Sequence, residues 1–413
     1  MLKRFLVTIL FFNIFVFSSK GQTTLIPVSN GQVNLTGADP NAPNIITTAV
    51  PFLTISPDAR SGAMGDVGAA ISPDANSIYW NAAKLAFAEK DMGFSLSYTP
   101  WLRKLGINDM FISQLSGYKR LSKQETIGVG LTYFNLGSIQ FTDAVGNPGL
   151  NYQPREFAFS ATYARKLSEK FSMSILGRFI YSNLTGSAQL SSGTQTGPGV
   201  TAAADIGFFY KTPLMISGLP ASLSLGANLS NIGGKIKYTT GTSQSGDFIP
   251  ANLRIGGALN LEIDQYNRIV FALDANKLLV PTPPLIGRDS AGTQYIVAGK
   301  DSRNESSIGA IFSSFTDAPG GLKEELSEIN LCGGVEYWYN NLFSVRGGYY
   351  NEAQTKGNRK YFTLGVGIRY QTFGLDVAYL IPMAQNNPLA ETLRFTLHFD
   401  FDAKKKQEDI TTE

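Results

Sequence analysis

The chain has 413 residues and a formal charge of +3, with 43% hydrophobic, 12% aromatic and only 16% charged residues. That balance offers no basic face for nucleic acid. One cysteine, Cys332, allows no internal disulfide, and one cysteine with one histidine, His398, cannot make a metal cluster. No cofactor is expected.

Residues 1–21 read as a secretory signal. Lys3 and Arg4 precede an apolar run from Phe5 to Phe17, and Ser19 and Gly21 give a small-x-small cleavage site before Gln22. The run is short of the ~20 residues a spanning helix needs, and no cysteine follows for lipid attachment. Removing Lys3, Arg4 and Lys20 takes the 35 basic residues to 32, against 32 acidic ones. No later run of ~18 apolar residues occurs, so helical spans are not expected. A large, exported, aromatic chain with 42 glycines and weak hydropathy fits an all-β transmembrane barrel of the outer membrane.

Residues 22–58 form a polar lead-in rich in Asn, Thr and Pro. Residues 59–90 have no strand alternation. Gly62, Gly65 and Gly68 recur every third residue, Ser72-Pro73-Asp74 is turn chemistry, and a short helix is expected through 75–86. This stretch reads as a hatch packed inside something larger, which residues 91–401 supply.

Alternation is clearest at the end of the chain. Leu393, Phe395, Leu397, Phe399 and Phe401 face one way, while Arg394, Thr396, His398 and Asp400 face the other. Strands are expected near 91–99, 109–120, 125–135, 155–167, 169–182, 200–211, 220–232, 250–262, 267–276, 327–338, 341–350, 359–370, 373–381 and 391–401. Fourteen antiparallel strands of this length can cross a bilayer. Short connections alternate with long ones, as periplasmic turns and extracellular loops do. An even count places both termini in the periplasm, with residues 402–413 as a free tail.

A Gly/Ala-rich segment carrying Gly68, Ala69, Asp74, Ala75, Asn81 and Ala83 ahead of about fourteen strands resembles the FadL family of outer-membrane proteins. That family usually has Asn-Pro-Ala where this chain has Asn81-Ala82-Ala83, which argues against carrying over fatty-acid transport. The fuller run from Arg60 to Leu85, with Tyr98-Thr-Pro-Trp-Leu-Arg-Lys-Leu, is more similar to the PorV (LptO) branch, which belongs to the type IX secretion system. The resemblance implies a non-enzymatic shuttle in the outer membrane. It would take the C-terminal signal domain of secreted cargo from a translocon barrel (SprA- or Sov-like) and deliver it to a PorU-like sortase attachment complex. The alternative implied is a FadL-like transporter of long-chain fatty acids or other hydrophobic molecules.

Competing site readings fall short. The glycine spacing lacks the βαβ unit of a nucleotide cradle. A hydrolase would have to use His398, which alternation puts in the lumen with Arg394. Asp205, Arg254, Glu336, Arg346, Arg369, Asp376 and Arg394 read as a lumenal charge network gripping the hatch, through residues such as Gly62, Gly65, Gly68, Asp74, Asn81 and Ala83. In the longest loop, Leu278, Leu279, Val280, Pro281, Pro283, Pro284, Leu285 and Ile286 form an apolar segment whose prolines discourage uncontrolled strand pairing; it is expected either to tuck over the barrel mouth as a simple cap or to be offered to a partner as the contact site. The amphipathic stretch 322–329 is expected to assist.

Overall fold

Period-two alternation builds the wall of this protein. In a computed structural model, which describes residues 43–402 apart from 143–144, 187–194, 240–245, 289–292, 303 and 385–386, Thr363 is 1% exposed and its neighbour Leu364 is 54% exposed. One face of each strand therefore turns inward and the other turns an apolar surface out. The expected signal peptide and the tail beyond Asp402 lie outside the described residues.

In chain order the strands are β1 (Met92–Pro100), β2 (Met110–Arg120), β3 (Glu125–Leu136), β4 (Ile139–Thr142), β5 (Pro148–Tyr152), β6 (Arg155–Lys166), β7 (Phe171–Asn183), β8 (Gly199–Ile216) and β9 (Leu219–Gly233). They continue as β10 (Asn252–Glu262), β11 (Asn267–Leu278), β12 (Leu285–Arg288), β13 (Gln294–Ala298), β14 (Ile329–Tyr339), β15 (Phe343–Asn351), β16 (Lys360–Tyr370), β17 (Phe373–Pro382) and β18 (Leu393–Phe401). Fourteen of them close an antiparallel barrel, sealed where β1 pairs with β18; β4–β5 and β12–β13 are separate hairpins within the longer connections. Barrel strands begin and end within two residues of the expected limits, with one exception. β8 runs on to Ile216 because Ser217 and Gly218 both adopt positive φ, the two-residue turn that lets a ladder continue to its end.

Aromatic side chains gather at both rims. Tyr98, Phe111 and Tyr133 follow one another at 5.4 and 6.1 Å near the longer loops, and Phe373 meets Phe399 at 5.7 Å near the short turns. An outward apolar band between aromatic belts is the surface a closed barrel shows to lipid. No described helix is long and apolar enough to cross a membrane.

The segment ahead of β1 fills the lumen. Two one-turn helices, α1 (Ala59–Gly62) and α2 (Ser77–Trp80), and short 3-10 turns at Pro51–Thr54 and Ala82–Phe87 carry it. A continuous helix through 75–86 does not form. Asn81 is extended (φ −168°), and its carboxamide oxygen accepts from the Ala83 N–H, ending one turn and capping the next. The filled region also starts earlier than residue 59, because Val50, Phe52 and Leu53 pack with Ile112, Phe134, Ile180 and Ile236.

The described chain does not start on the side where it ends. Asn44 bonds to Thr355 and Ala49 to Phe248, both in the longer connections, whereas β18 finishes beside the short turns. β18 ends at Phe401 beside Met92, the first residue of β1, as an even strand count requires, while the plug ahead of β1 runs the length of the lumen from Pro43; both termini of the chain lie outside the described residues.

Candidate functional site

Two constructions stand out: the grip between plug and wall, and a cap over the loop-side mouth. The grip rests on paired charges. Arg60, on α1, sends its guanidinium to Glu336 of β14 (3.0 and 2.9 Å) and to Asp74 (3.1 Å). Glu336 also accepts from Arg346 of β15 (2.7 Å), and Arg346 continues to Asp376 of β17 (2.8 Å). Asp376 is shared with Arg369 (2.6 Å) and His398 (2.8 Å). Arg394 reaches back to Asp66 of the plug (3.1 Å), and the Tyr361 hydroxyl donates to the same carboxylate (2.7 Å). Charges so buried are tolerable only when paired and hydrogen-bonded.

Backbone contacts complete the grip. Gly68 and Ala69 donate their N–H groups to Asp274 of β11 (2.7 and 2.9 Å), and Gly65 donates to Thr363 (2.9 Å). Gly65 has φ +73°, and a Cβ there would stand 2.6 Å from the Tyr349 backbone; a Cβ on Gly68 would stand 2.2 Å from the Trp80 ring. Both positions need glycine for close approach. Asp74 holds the Asn76 N–H (2.9 Å), Asn81 donates to the Ala69 and Phe208 carbonyls (3.1 and 2.9 Å), and Ala83 accepts from Ser172 (2.7 Å). A Cβ on Gly62 would meet the Arg394 guanidinium. All six hatch positions singled out in the sequence therefore touch the wall or brace the plug.

The cap is the connection between β11 and β14, with helices α3 (Ser307–Ser313) and α4 (Leu322–Ser327). Its underside is charged. Lys277 bonds Glu325 (3.0 Å) and Glu328, Lys356 bonds Glu328 (2.9 Å) and Glu324, and Thr282 donates its hydroxyl to Glu328 (2.6 Å). Burial would raise the Glu324 carboxyl, but the Lys356 ammonium and the Gly320 N–H hold it below its ordinary value. Asp317, which accepts from the Thr282 N–H (3.1 Å), is pushed up to about 6 by burial.

The helices' outer faces are apolar. On α4, Glu325 is 7% exposed while Leu322 and Leu326 are 74% and 60% exposed; on α3, Ala310 is inside while Ile308 and Phe312 are 65% and 73% exposed. An ordinary surface helix turns its carboxylates outward and its leucines inward. Here the acids are used as anchors and the leucines face out.

Much of the expected contact segment lies elsewhere than on the surface. Leu279 and Val280 are buried, Leu279 packing against Ala251 and Ile311 beneath α3, and Pro281 is buried too. Leu278, Pro283, Pro284 and Leu285 are half-buried, and only Ile286 is exposed. Of the two expected placements the segment takes the tucked one: the Leu279 N–H donates to the Ala251 carbonyl (2.7 Å), which extends the β11 edge and pulls the segment under the cap. Sequence reasoning missed Arg60, Asp274, Lys277 and Lys356. Asp274 and Lys277 sit on β11, where the inward row Val270, Ala272, Asp274 signalled one of them; Lys277 lay past the expected strand end.

Against known proteins, a family model described as "Type IX secretion system protein PorV" matches residues 38–285. No curated protein sequence matches the chain. Among solved structures the chain is similar to the Ralstonia pickettii toluene transporter TbuX (13% identity, 83% of this chain and 98% of that one, TM-score 0.44) and the Pseudomonas putida toluene transporter TodX (11%, 83% and 96%, 0.43). It is likewise similar to a Pseudomonas aeruginosa FadL homologue (9%, 87% and 100%, 0.42). The apolar belt and closed register make the chain an outer-membrane barrel, and the matched span covers more than half of it. The chain belongs to the PorV family of type IX secretion system proteins.

Proposed function

We propose that this barrel is a membrane-anchored binding protein of the type IX system, without enzymatic activity. It holds the C-terminal signal domain of secreted cargo at its loop-side face between the translocon barrel and the sortase-like attachment complex. In this reading the longer loops are extracellular and the short turns periplasmic.

The observation that carries it is the reversed amphipathicity of the cap. Four large apolar side chains, Ile308 and Phe312 on α3 and Leu322 and Leu326 on α4, face outward, and on α4 Glu325 and the following Glu328 are sunk onto Lys277 and Lys356. Large apolar side chains held in solvent on anchored helices mark a protein contact. The transporter alternative is less well supported. Cavities of about 640 Å³ on the turn side and about 520 Å³ on the loop side lie on opposite sides of the plug. The first mixes Lys211, Glu262 and Arg268 with Phe209, Leu214, Met215 and Val270, the second Arg254, Lys356 and Arg359 with Ile45, Ile46 and Leu278, and the plug stands between them.

The test is gentle detergent purification through a tag after Glu413, with mass spectrometry of what is retained, for the wild type and for Phe312→Asp combined with Leu326→Asp. The wild type should bring down secreted proteins sharing a C-terminal β-sandwich domain, along with a very large barrel. The double variant should lose them while remaining heat-modifiable. Equal retention by both would refute the docking face, and bound fatty acids without protein would favour the transporter.

A further inference from the structure

The path of the plug decides how it can move. At its start, Asn44 donates its N–H to the Thr355 carbonyl (2.9 Å) and its carboxamide to the Pro283 carbonyl and Glu324 (3.1 Å each), and Ala49 donates to Phe248 (2.9 Å). These partners lie in the β15–β16, β11–β14 and β9–β10 connections, all on the loop side. At its other end, the Ala83 and Leu85 carbonyls accept from Ser172 (2.7 Å) and Thr126 (3.2 Å), near the first residues of β7 and β3, and Lys90 pairs with Asp402 (2.7 Å). Those partners lie on the turn side.

We infer that residues 43–90 are threaded through the barrel they plug: the segment is a bolt fixed at both mouths, with Pro43 at the loop-side face. A hatch tied only at β1 could swing out toward the turns. This one cannot do so without withdrawing Val50, Phe52 and Leu53 from their apolar cluster at the loop mouth and breaking the Asn44 and Ala49 bonds to the loops. Opening a path would also break the Arg60–Glu336 and Arg394–Asp66 pairs in the middle. The seal is therefore static. Pro43 and Asn44 share a face with α4, whose Glu324 accepts from the Asn44 carboxamide. This inference does not depend on what docks there.

Cysteine labelling tests it, because the native Cys332 is buried and can be replaced by Ala for the background. Pro43→Cys, at an exposed position, is compared with a loop reference, Leu322→Cys, and a turn reference, Gln265→Cys, using a membrane-impermeant maleimide on intact and permeabilised cells. Pro43→Cys should label with the loop reference, whichever face proves to be outside, at a rate within about threefold of it. Labelling with the turn reference, or in neither condition, overturns the inference. If the two references behave oppositely to expectation, only the assignment of loops to the cell exterior falls. A second pair, Asn44→Cys with Thr355→Cys, should crosslink under mild oxidant and leave secretion unchanged. Failure to crosslink, or secretion lost on oxidation and restored by reductant, would refute a fixed plug.

Discussion

Replacing Glu336 by alanine probes the grip most directly. Glu336 is fully buried and accepts three hydrogen bonds, two from Arg60 and one from Arg346. Without it, Arg60 keeps Asp74, and Arg346 keeps an Asp376 already shared with Arg369 and His398. One anion is lost and two buried cations stay, the situation that costs about 3–5 kcal/mol. At about 2 °C per kcal/mol for a chain of this size, the transition should fall by roughly 6–10 °C. The assay is the temperature at which the folded, fast-migrating band disappears in semi-native electrophoresis. Lys90→Ala, which removes a pair with Asp402 that is about half exposed, serves as the surface comparison and should shift it little. Adding Arg60→Ala to Glu336→Ala should recover part of the loss, since one stranded cation goes with it. Equal shifts for Glu336→Ala and Lys90→Ala would refute the claim that this network holds plug to wall.

A Cβ on Gly348 would stand 2.1 Å from Met64 of the plug, whereas one on Gly177 meets nothing within 4 Å. Gly348→Val should therefore displace the plug and admit large antibiotics or raise conductance in planar bilayers, and Gly177→Val should not. Leu279→Asp buries a carboxylate beneath α3, so proteolysis within 300–328 should accelerate, while Ile286→Asp, at an exposed site, should leave the cap intact. Asp317 binds its proton more tightly in the folded cap than when exposed. Its stabilising contribution is thus full below its ordinary value of 3.8 and is lost as pH rises through about 6. Amide exchange around Thr282 should be slower at pH 5 than at pH 7.5 after correction for intrinsic rates, and Asp317→Asn should flatten that difference.

The wall was legible because period two leaves a mark on every strand: Thr363 inside and Leu364 outside can be read as letters. The plug was partly legible, since Gly65 and Gly68 mark close approach wherever they occur. Its direction was not. Counting strands says on which side the barrel ends, but says nothing of how the preceding chain enters. Only the contacts of Asn44 and Ala49 place that entry among the longer loops. The cap was the least legible. Leu278 to Ile286, apolar in a loop, could be read as tucked or as offered to a partner, and only the Leu279 N–H finding a carbonyl at Ala251 decides that the segment folds under. Leu322, Glu325 and Leu326 carry an amphipathic pattern whose sense cannot be taken from spacing. The acids turn inward because Lys277 and Lys356, 45 and 34 residues away from Leu322 in either direction along the chain, converge beneath them. Periodicity reports that a helix has two faces, and the long-range charge partner decides which of them is offered to another protein.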